Sequence, residues 1–570
     1  MISMLLQQRP LQQPLEQFGY LQSDTLARIL SARNVAADQL ALQLKSLLSP
    51  DLLGLQKAVA LIDQAIDERK QILIVGDYDA DGATSTALMI LALRDMGAQV
   101  NYIVPDRFKY GYGLTPAIAE LAYQRYQPDL LITVDNGISS HAGVETCHAL
   151  GMQVIITDHH LTTKATPPAE AVVNPNQLGC HFASKSLAGV GVAFYVLARL
   201  ATLRQQQGKS TTKLSQYLDL VALGTVADVA KLDFNNRILV QAGLEKIRCG
   251  QCRAGILALL EIAGKNPAQL QAQDFGFVLG PRINAAGRMD SMQIGIECLL
   301  APDLTTAYPI AYQLDRLNVE RRQVEQSMRE QAFGYLTELQ LEQERIPEAL
   351  VLFEPEWHQG VIGIVAGRLK EHYHRPSIVF ALDEDGQHLK GSARSIEGIH
   401  IRDSIEAVAQ QHPHLVKFFG GHAAAAGLTI EQQYFDAFKT HFTAFIAQHH
   451  PDVFTARLWT DGALQVKDFS LDFLAQLEQL GPWGQGFEAP VFEGVFNVDE
   501  FQWLKEQHLK LKLKLDDGRL LDAIGFNFRE KVQTHIGEKV HLAFSLEKNE
   551  FRGKTHLQMR ILYLKVLDSL

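Results

Sequence analysis

Three short apolar runs stand out along the chain: Ile72 to Val75, Leu130 to Val134 and Val154 to Thr157. None alternates with polar residues, so each reads as a strand buried on both faces, as in a parallel sheet. Helix-like segments bound them over roughly 83–96, 115–126 and 140–150, and strand alternating with helix predicts a parallel sheet covered by helices. The start of the chain, residues 1–48, reads as helical and carries no chemistry. A first α/β domain is expected over 49–235 and a helical region over 236–345. That region ends in a segment from Thr305 to Gln343, rich in Gln, Glu, Arg and Leu, which reads as one long helix joining two globular parts. A second α/β domain, 346–452, opens on Ala349 to Phe353. Beyond it, 453–570 changes character: Leu509 to Leu515, with lysines at alternate positions, and Val540 to Leu546 predict short strands of a small β-barrel. Three to four domains also suit 570 residues, at about 100–200 residues each.

The chemistry clusters where the strands end. Ile72 to Val75 runs into Gly76-Asp77-Tyr78-Asp79-Ala80-Asp81-Gly82, the second run into Asp135-Asn136-Gly137, and the third into Asp158-His159-His160. Asp228, in Gly224-Thr225-Val226-Ala227-Asp228, follows a helical stretch from about Leu214. In open parallel sheets ligands bind outside the carboxyl ends of the strands, and clustered carboxylates repel one another unless a cation joins them. The first loop imitates the opening half of a calcium-binding EF-hand, but the twelfth position, where a bidentate Glu is required, is Leu88. Imidazole joined to carboxylates suits Mn²⁺ and related ions. Asp79, Asp81, Asp135, His159 and Asp228 are enough for two cations, with Asp77 either a ligand or an orienting group. Two such ions about 3.5–4 Å apart serve an in-line phosphoryl displacement, so phosphate-ester hydrolysis is the reaction class inferred.

Charge and composition narrow the setting. A net charge of −11 excludes a surface that grips polyanions everywhere, but leaves room for a local basic groove. From Trp503 to the end there are 13 Lys and Arg against 9 Asp and Glu, which places the polyanion-facing part there. No apolar run approaches the roughly 18 residues of a membrane span, and five cysteines make no disulfide framework, so a cytoplasmic protein is expected. Cys249 and Cys252 have zinc or redox spacing but lack a second pair, and Gly189-Val190-Gly191 reads as helix packing or an N-terminal turn. Gly420-Gly421-His422 with Gly427, Arg394 beside Ser392, and Arg107 are candidate phosphate contacts. In the barrel, Trp503 and other aromatics lie among Lys510, Lys512 and Lys514, which share one face of a strand, as a single-strand groove requires.

Taken together and in order, these motifs, with Arg282-Ile283-Asn284-Ala285-Ala286-Gly287-Arg288 and Gly420-Gly421-His422 to Gly427, resemble the DHH phosphoesterases that carry a DHHA1 domain. Within that superfamily they resemble the single-strand-specific exonucleases, from about residue 50 onward. The resemblance implies a parallel-sheet DHH domain joined by the long helix to an α/β DHHA1 domain, with an OB-like barrel at the end. It implies 5′→3′ degradation of single-stranded DNA to mononucleotides, in recombination and repair, with two Mn²⁺ or Mg²⁺ ions. Asp77, Asp79, Asp81, Asp135, His159 and Asp228 would be the metal ligands, with Asp158 behind them and His160 near the reacting phosphate. Arg107, Arg282, Arg288, Ser392, Arg394, Gly420, Gly421 and His422 would contact substrate, and Trp503, Lys510, Lys512 and Lys514 the strand beyond. Gly481-Pro482-Trp483-Gly484-Gln485-Gly486-Phe487 resembles the approach to the barrel, although Asn is commoner where Phe487 stands. A monomer is expected, with single-strand binding protein and a helicase as candidate partners and no membrane association. A small-substrate phosphodiesterase and an inactive DNA-holding scaffold are the alternatives.

Overall fold

The computed structural model describes the chain except residues 1–3, 20, 22, 106–109, 163–164, 344–345, 452, 529–537, 552 and 568–570. The start departs from the helix expected over 1–48. Strand β1 (Met4–Gln8) precedes the first α-helix, α1 (Asp24–Ala32), and pairs in parallel with β12 (Ala456–Thr460), Met4 opposite Ala456. A partner so distant in the chain leaves no local periodicity to read.

The chain forms two compact units. One, built mainly from Pro10–Asn318, holds a five-stranded parallel sheet in the order β3-β2-β4-β5-β6, with β2 (Gln71–Val75), β3 (Gln99–Ile103), β4 (Leu130–Val134), β5 (Gln153–Thr157) and β6 (Ala171–Val173). Alternate residues of each strand enter different cores. Ile72, Ile74, Ile132 and Ile155 face α2 (Leu55–Asp67), α3 (Ala80–Asp95) and α6 (Gly189–Gln206), whereas Leu73, Val75, Leu131 and Ile156 face α4 (Pro116–Tyr126) and α5 (His141–Ala149). Burial on both faces is why the strands read as unbroken apolar runs. The strand order reverses at β2, so the loops after β2 and β4 open a crevice at a topological switch point. Helix α3 starts three residues before the expected position, because Asp79 Oδ1 accepts the amides of Asp81 and Gly82 at 2.9 and 3.0 Å and caps it. Helices α7 (Leu218–Ala227), α8 (Phe234–Arg248), α9 (Ala254–Ile262), α10 (Gly280–Met289) and α11 (Gln293–Leu300) complete this part.

The long helix, α12 (Leu304–Gln343), runs unbroken through Pro309 near its start. The other unit, mainly Val319–Gly462, carries a mixed sheet in the order β10-β11-β9-β8-β7: β7 (Leu350–Phe353) parallel to β8 (Ser377–Leu382), then β9 (His388–Arg394), β11 (Ala425–Glu431) and β10 (Phe418–Gly421) antiparallel. Helices α13 (Ile362–Tyr373), α14 (Ile401–Gln411) and α15 (Phe435–His449) accompany it, and Phe380, Phe438 and Phe442 fill its core. After α16 (Leu471–Leu480), strands β13 (Phe492–Leu504), β14 (His508–Lys514), β15 (Leu520–Gly525), β16 (Lys539–Phe551) and β17 (Lys554–Leu567) close into a barrel, which belongs to the first unit. Leu509, Leu511 and Leu513 are buried and the lysines between them point outward, the alternation expected of a strand with one wet face. No described helix is long and apolar enough to cross a membrane.

Candidate metal centre

The strand ends bring the expected groups together. Donor atoms of Asp77, Asp79 and Asp135 lie within 4.8 Å of one another, as do those of Asp81, His159 and Asp228, and those of Asp135, His159 and His160. Asp135 takes a left-handed backbone, φ 61°, unusual for a residue with a side chain, while its amide donates to Thr157 O at 3.0 Å. This turns its carboxylate into the crevice. Asn136, buried behind it, donates to the carbonyls of Val75 and Val134 at 3.1 and 2.9 Å, and so ties β2 to β4.

Helix α6 begins directly against these acids. Asp81 accepts the amides of Gly189 and Val190 at 2.6 and 2.9 Å, which satisfies the helix start from another element. A Cβ on Gly189 would stand 2.6 Å from that of Asp135, so only glycine allows the approach. The expected N-terminal turn at Gly189-Val190-Gly191 is therefore present, and it shapes the centre. On the other side Asn284 Oδ1, on α10, accepts the amide of Ala80 at 2.7 Å, and Gly287 lets the same helix pass against Tyr78 O. Arg282, expected at substrate, instead pairs with Asp315 at 2.9 Å and donates to Val278 O at 2.8 Å. Arg288 is half-buried in the last turn of α10.

The two histidines have opposite electrostatics. Burial, then the charge of His160, pushes His159 down to about 4, so its imidazole is neutral and ready to ligate. Its Nε2 lies 3.0 Å from Asp135 Oδ1, and neither buried atom has a hydrogen-bond partner among the described residues. For His160, burial works against the charged form, but the Asp158 hydrogen bond and charge outweigh it and push it up to about 9. Asp158 accepts from His160 Nδ1 at 2.7 Å, from the amides of His159 and His160 at 2.7 and 3.0 Å, and from that of Ile138 at 2.9 Å. Both oxygens of its carboxylate are taken by protein donors, which makes it the anchor of His160. Tyr112, which the sequence pattern did not single out, places its hydroxyl 3.2 Å from His160 Nε2.

Three of the carboxylates, Asp81, Asp135 and Asp228, are held in an unfavourable state. Burial, then the charge of Asp79, pushes Asp81 up to about 7; burial, then Asp81 and Asp79, raises Asp135 and Asp228 well above the carboxylate range. Orphaned buried acceptors among repelling acids, next to a neutral imidazole, fit divalent cations. A testable consequence is that the metal-free protein loses stability as pH rises from about 4 to about 7. Asp81, kept protonated to about 7, and Asp135 and Asp228, also raised, hold protons when folded that they release near 3.8 when unfolded. These three outweigh His159, which gains its proton only on unfolding between about 4 and 6.5, so across the window the folded site binds more protons and stability has a negative slope with pH. Thermal midpoints after chelation should fall across that window and recover when Mn²⁺ is restored.

Within the unit built on Val319–Gly462, several of the other expected contacts gather on one sheet. Gly420, Gly427 and Ser392 form one cross-strand row on β10, β11 and β9, and Arg394 donates to Ser392 Oγ at 3.1 Å. A Cβ on Gly363, at the start of α13, would stand 2.8 Å from that hydroxyl, so the helix start meets the same spot. Gly421, φ 142°, opens a hairpin turn in which exposed His422 donates its amide to Ala425 O at 2.8 Å. The segment is thus a β-hairpin. Arg107 lies outside the described residues. In the barrel Trp503 is half-buried opposite Leu509, and Lys512 and Lys510 face Glu500 and Asp522 at 3.0 and 3.8 Å, while Lys514 is exposed. Phe544 is wholly buried, whereas exposed Phe526 sits between His508, with ring centroids 5.3 Å apart, and Arg560 at 5.8 Å.

Acids and an Asp-His-His run at the switch point of a parallel sheet define a DHH phosphoesterase. In agreement, residues 71–225 match the DHH family N-terminal domain, 347–448 the DHHA1 domain and 460–563 the RecJ OB domain. The chain is 46% identical over 551 residues to the single-stranded-DNA-specific exonuclease RecJ of Dickeya dadantii, covering 95% of each, and 45% identical to that of Escherichia coli, covering 94% and 95%. The crystal structure of RecJ in complex with Mn²⁺ from Thermus thermophilus aligns with a TM-score of 0.83 at 29% identity, over 99% of this chain and 80% of that one. The chain belongs to the RecJ family.

Proposed function

We propose that this protein is an exonuclease specific for single-stranded DNA, working 5′→3′ to release mononucleotides by metal-assisted hydrolysis. The observation that carries the reading is the facing pair Asp135 Oδ1 and His159 Nε2, 3.0 Å apart and without hydrogen-bond partners among the described residues, inside a ring of repelling carboxylates. Asp77, Asp79, Asp81, Asp135, His159 and Asp228 would hold two Mn²⁺ or Mg²⁺ ions. When bound, the ions supply Lewis acidity at the scissile phosphate and lower the pKa of water. Asp158 fixes His160 as an imidazolium whose Nε2 proton donates to a phosphoryl oxygen, in the place the Tyr112 hydroxyl takes in the free protein.

Ser392, Arg394, His422 and the bare backbone of Gly420 and Gly421, all within one unit, suit a phosphate of the strand. Arg107 and Arg288 belong to the other unit and are separate candidates for the DNA backbone. Arg282, already paired, positions α10. The barrel holds the strand beyond, through Trp503, Lys510, Lys512 and Lys514, with Phe526 and Arg560 as its stacking pair. In this reading the protein is a cytoplasmic monomer of recombination and repair, supplied with single strands by a helicase and single-strand binding protein. End-labelled single strands blocked at one terminus test it. With Mn²⁺, blocking the 5′ end should stop digestion and blocking the 3′ end should not; the reverse outcome, or faster hydrolysis of dinucleotides than of long strands, overturns it.

A further inference from the structure

Among the described residues, the most exposed large apolar side chain is Phe277, 82% accessible. A single exposed apolar residue is ordinary, but the mounting of this one is not. Phe275–Leu279 form a single π-helical turn whose two ends, Phe275 and Leu279, are wholly buried. Such turns hold one residue more than an α-helical turn and recur at functional sites. The turn lies against the end of α7: a Cβ on Gly280 would stand 3.1 Å from Ala227 Cβ, and one on Gly276 3.7 Å from Val226 Cγ1. The residue that caps α7 is Asp228, followed by Val229, exposed and held at φ 60°. In the other direction the turn continues into α10, where Asn284 holds the Ala80 amide and Gly287 abuts Tyr78. Arg282 locks the join through Val278 O. The ring is therefore carried outward on a rigid piece pinned to both rims of the metal centre, the Asp228 side and the Asp77 to Asp81 loop.

We propose that Phe277 is a stacking platform for a base of the strand entering the metal centre, an assignment that rests on the single-strand reading above. An aromatic face accepts any base, so it suits a nuclease without sequence preference. It also requires the base to be unpaired and splayed from its neighbours, which a phosphate-gripping cation does not. Phe277 thereby contributes to the choice of single strands over duplex.

The test is a cycle between the ring and the DNA. Phe277→Ala should raise KM on a long single strand by about tenfold, within the range for loss of one base–aromatic stack, with kcat nearly unchanged. Phe277→Trp should restore KM and show fluorescence quenching on a hydrolysis-resistant strand, while Phe277→Leu, of similar bulk but without a π face, should not restore it. Strands with one abasic site moved stepwise from the 5′ end should reveal a position, or an adjoining pair, at which Phe277→Ala costs nothing further. An equal cost at every abasic position, or rescue by leucine, overturns the stacking role. Failure of the wild-type protein to digest any single strand overturns the underlying reading instead.

Discussion

Asparagine in place of Asp135 is expected to lower hydrolysis of a single-stranded oligonucleotide by about three orders of magnitude, or about 4 kcal/mol of transition-state stabilisation. Asparagine keeps the volume and one oxygen of the carboxylate but removes the charge. Asp135 is buried, and its Oδ1 is one of two facing atoms that no donor among the described residues satisfies. It also belongs to two of the three donor sets, so losing its charge weakens both at once. The same change removes a charge that burial disfavours first, and that repulsion from Asp81 and Asp79 disfavours further, in the native protein. The metal-free variant should therefore melt no lower than the metal-free wild type at about pH 8, while Mn²⁺ should raise the wild-type midpoint much more than that of the variant. Loss of activity with stability kept separates a ligand from a structural acid. Activity within tenfold of wild type, or equal Mn²⁺ stabilisation of both, would show that Asp135 is not a ligand.

The parts of this centre that are readable in the sequence are those whose cause is local. Leu130 to Val134 is a strand because it is buried on both faces, and the residue after a parallel strand is where a ligand group belongs; hence Asp135 is legible. The group Asp77, Asp79, Asp81 is legible for the same reason, but not its division of labour. Asp79 caps its own helix, whereas Asp81 spends hydrogen bonds on α6, which begins 108 residues later. Asn284 acts on the loop from 204 residues away, and Gly287 beside it, inside a motif whose arginines draw attention because charge is visible in a sequence and packing is not. Arg282 shows the converse: its type suggests phosphate, and an ion pair with Asp315 on a later helix claims it first. The N-terminal strand does not show because its partner is β12. The hairpin at Gly421 does not show in the sequence because the strand it pairs with, β9, lies earlier in the chain and no local periodicity marks the register.

The second large effect concerns the pair Asp158 and His160. His160→Ala is expected to lower kcat by about 10²- to 10⁴-fold, the usual worth of a group that exchanges or shares a proton with the reacting centre. Asp158→Asn should cost less, about ten- to a hundredfold, as for groups that orient a functional side chain from behind. The carboxamide can still accept from the ring but no longer holds a charge beside it. Because Asp158 acts through His160, the double variant should be little worse than His160→Ala alone. The pH profile provides the readout that a purely structural role would not move. His160 is pushed up to about 9, so its positive charge, present at lower pH, is lost as pH rises through that value, and wild-type activity should fall on an alkaline limb there. Bound cations disfavour the imidazolium and draw the limb to lower pH. Asp158→Asn removes the charge that raises the value, so its limb should move lower still, and His160→Ala should have no such limb. A limb that stays in place in both variants would assign it to another group and reduce His160 to a bystander of its neighbour His159.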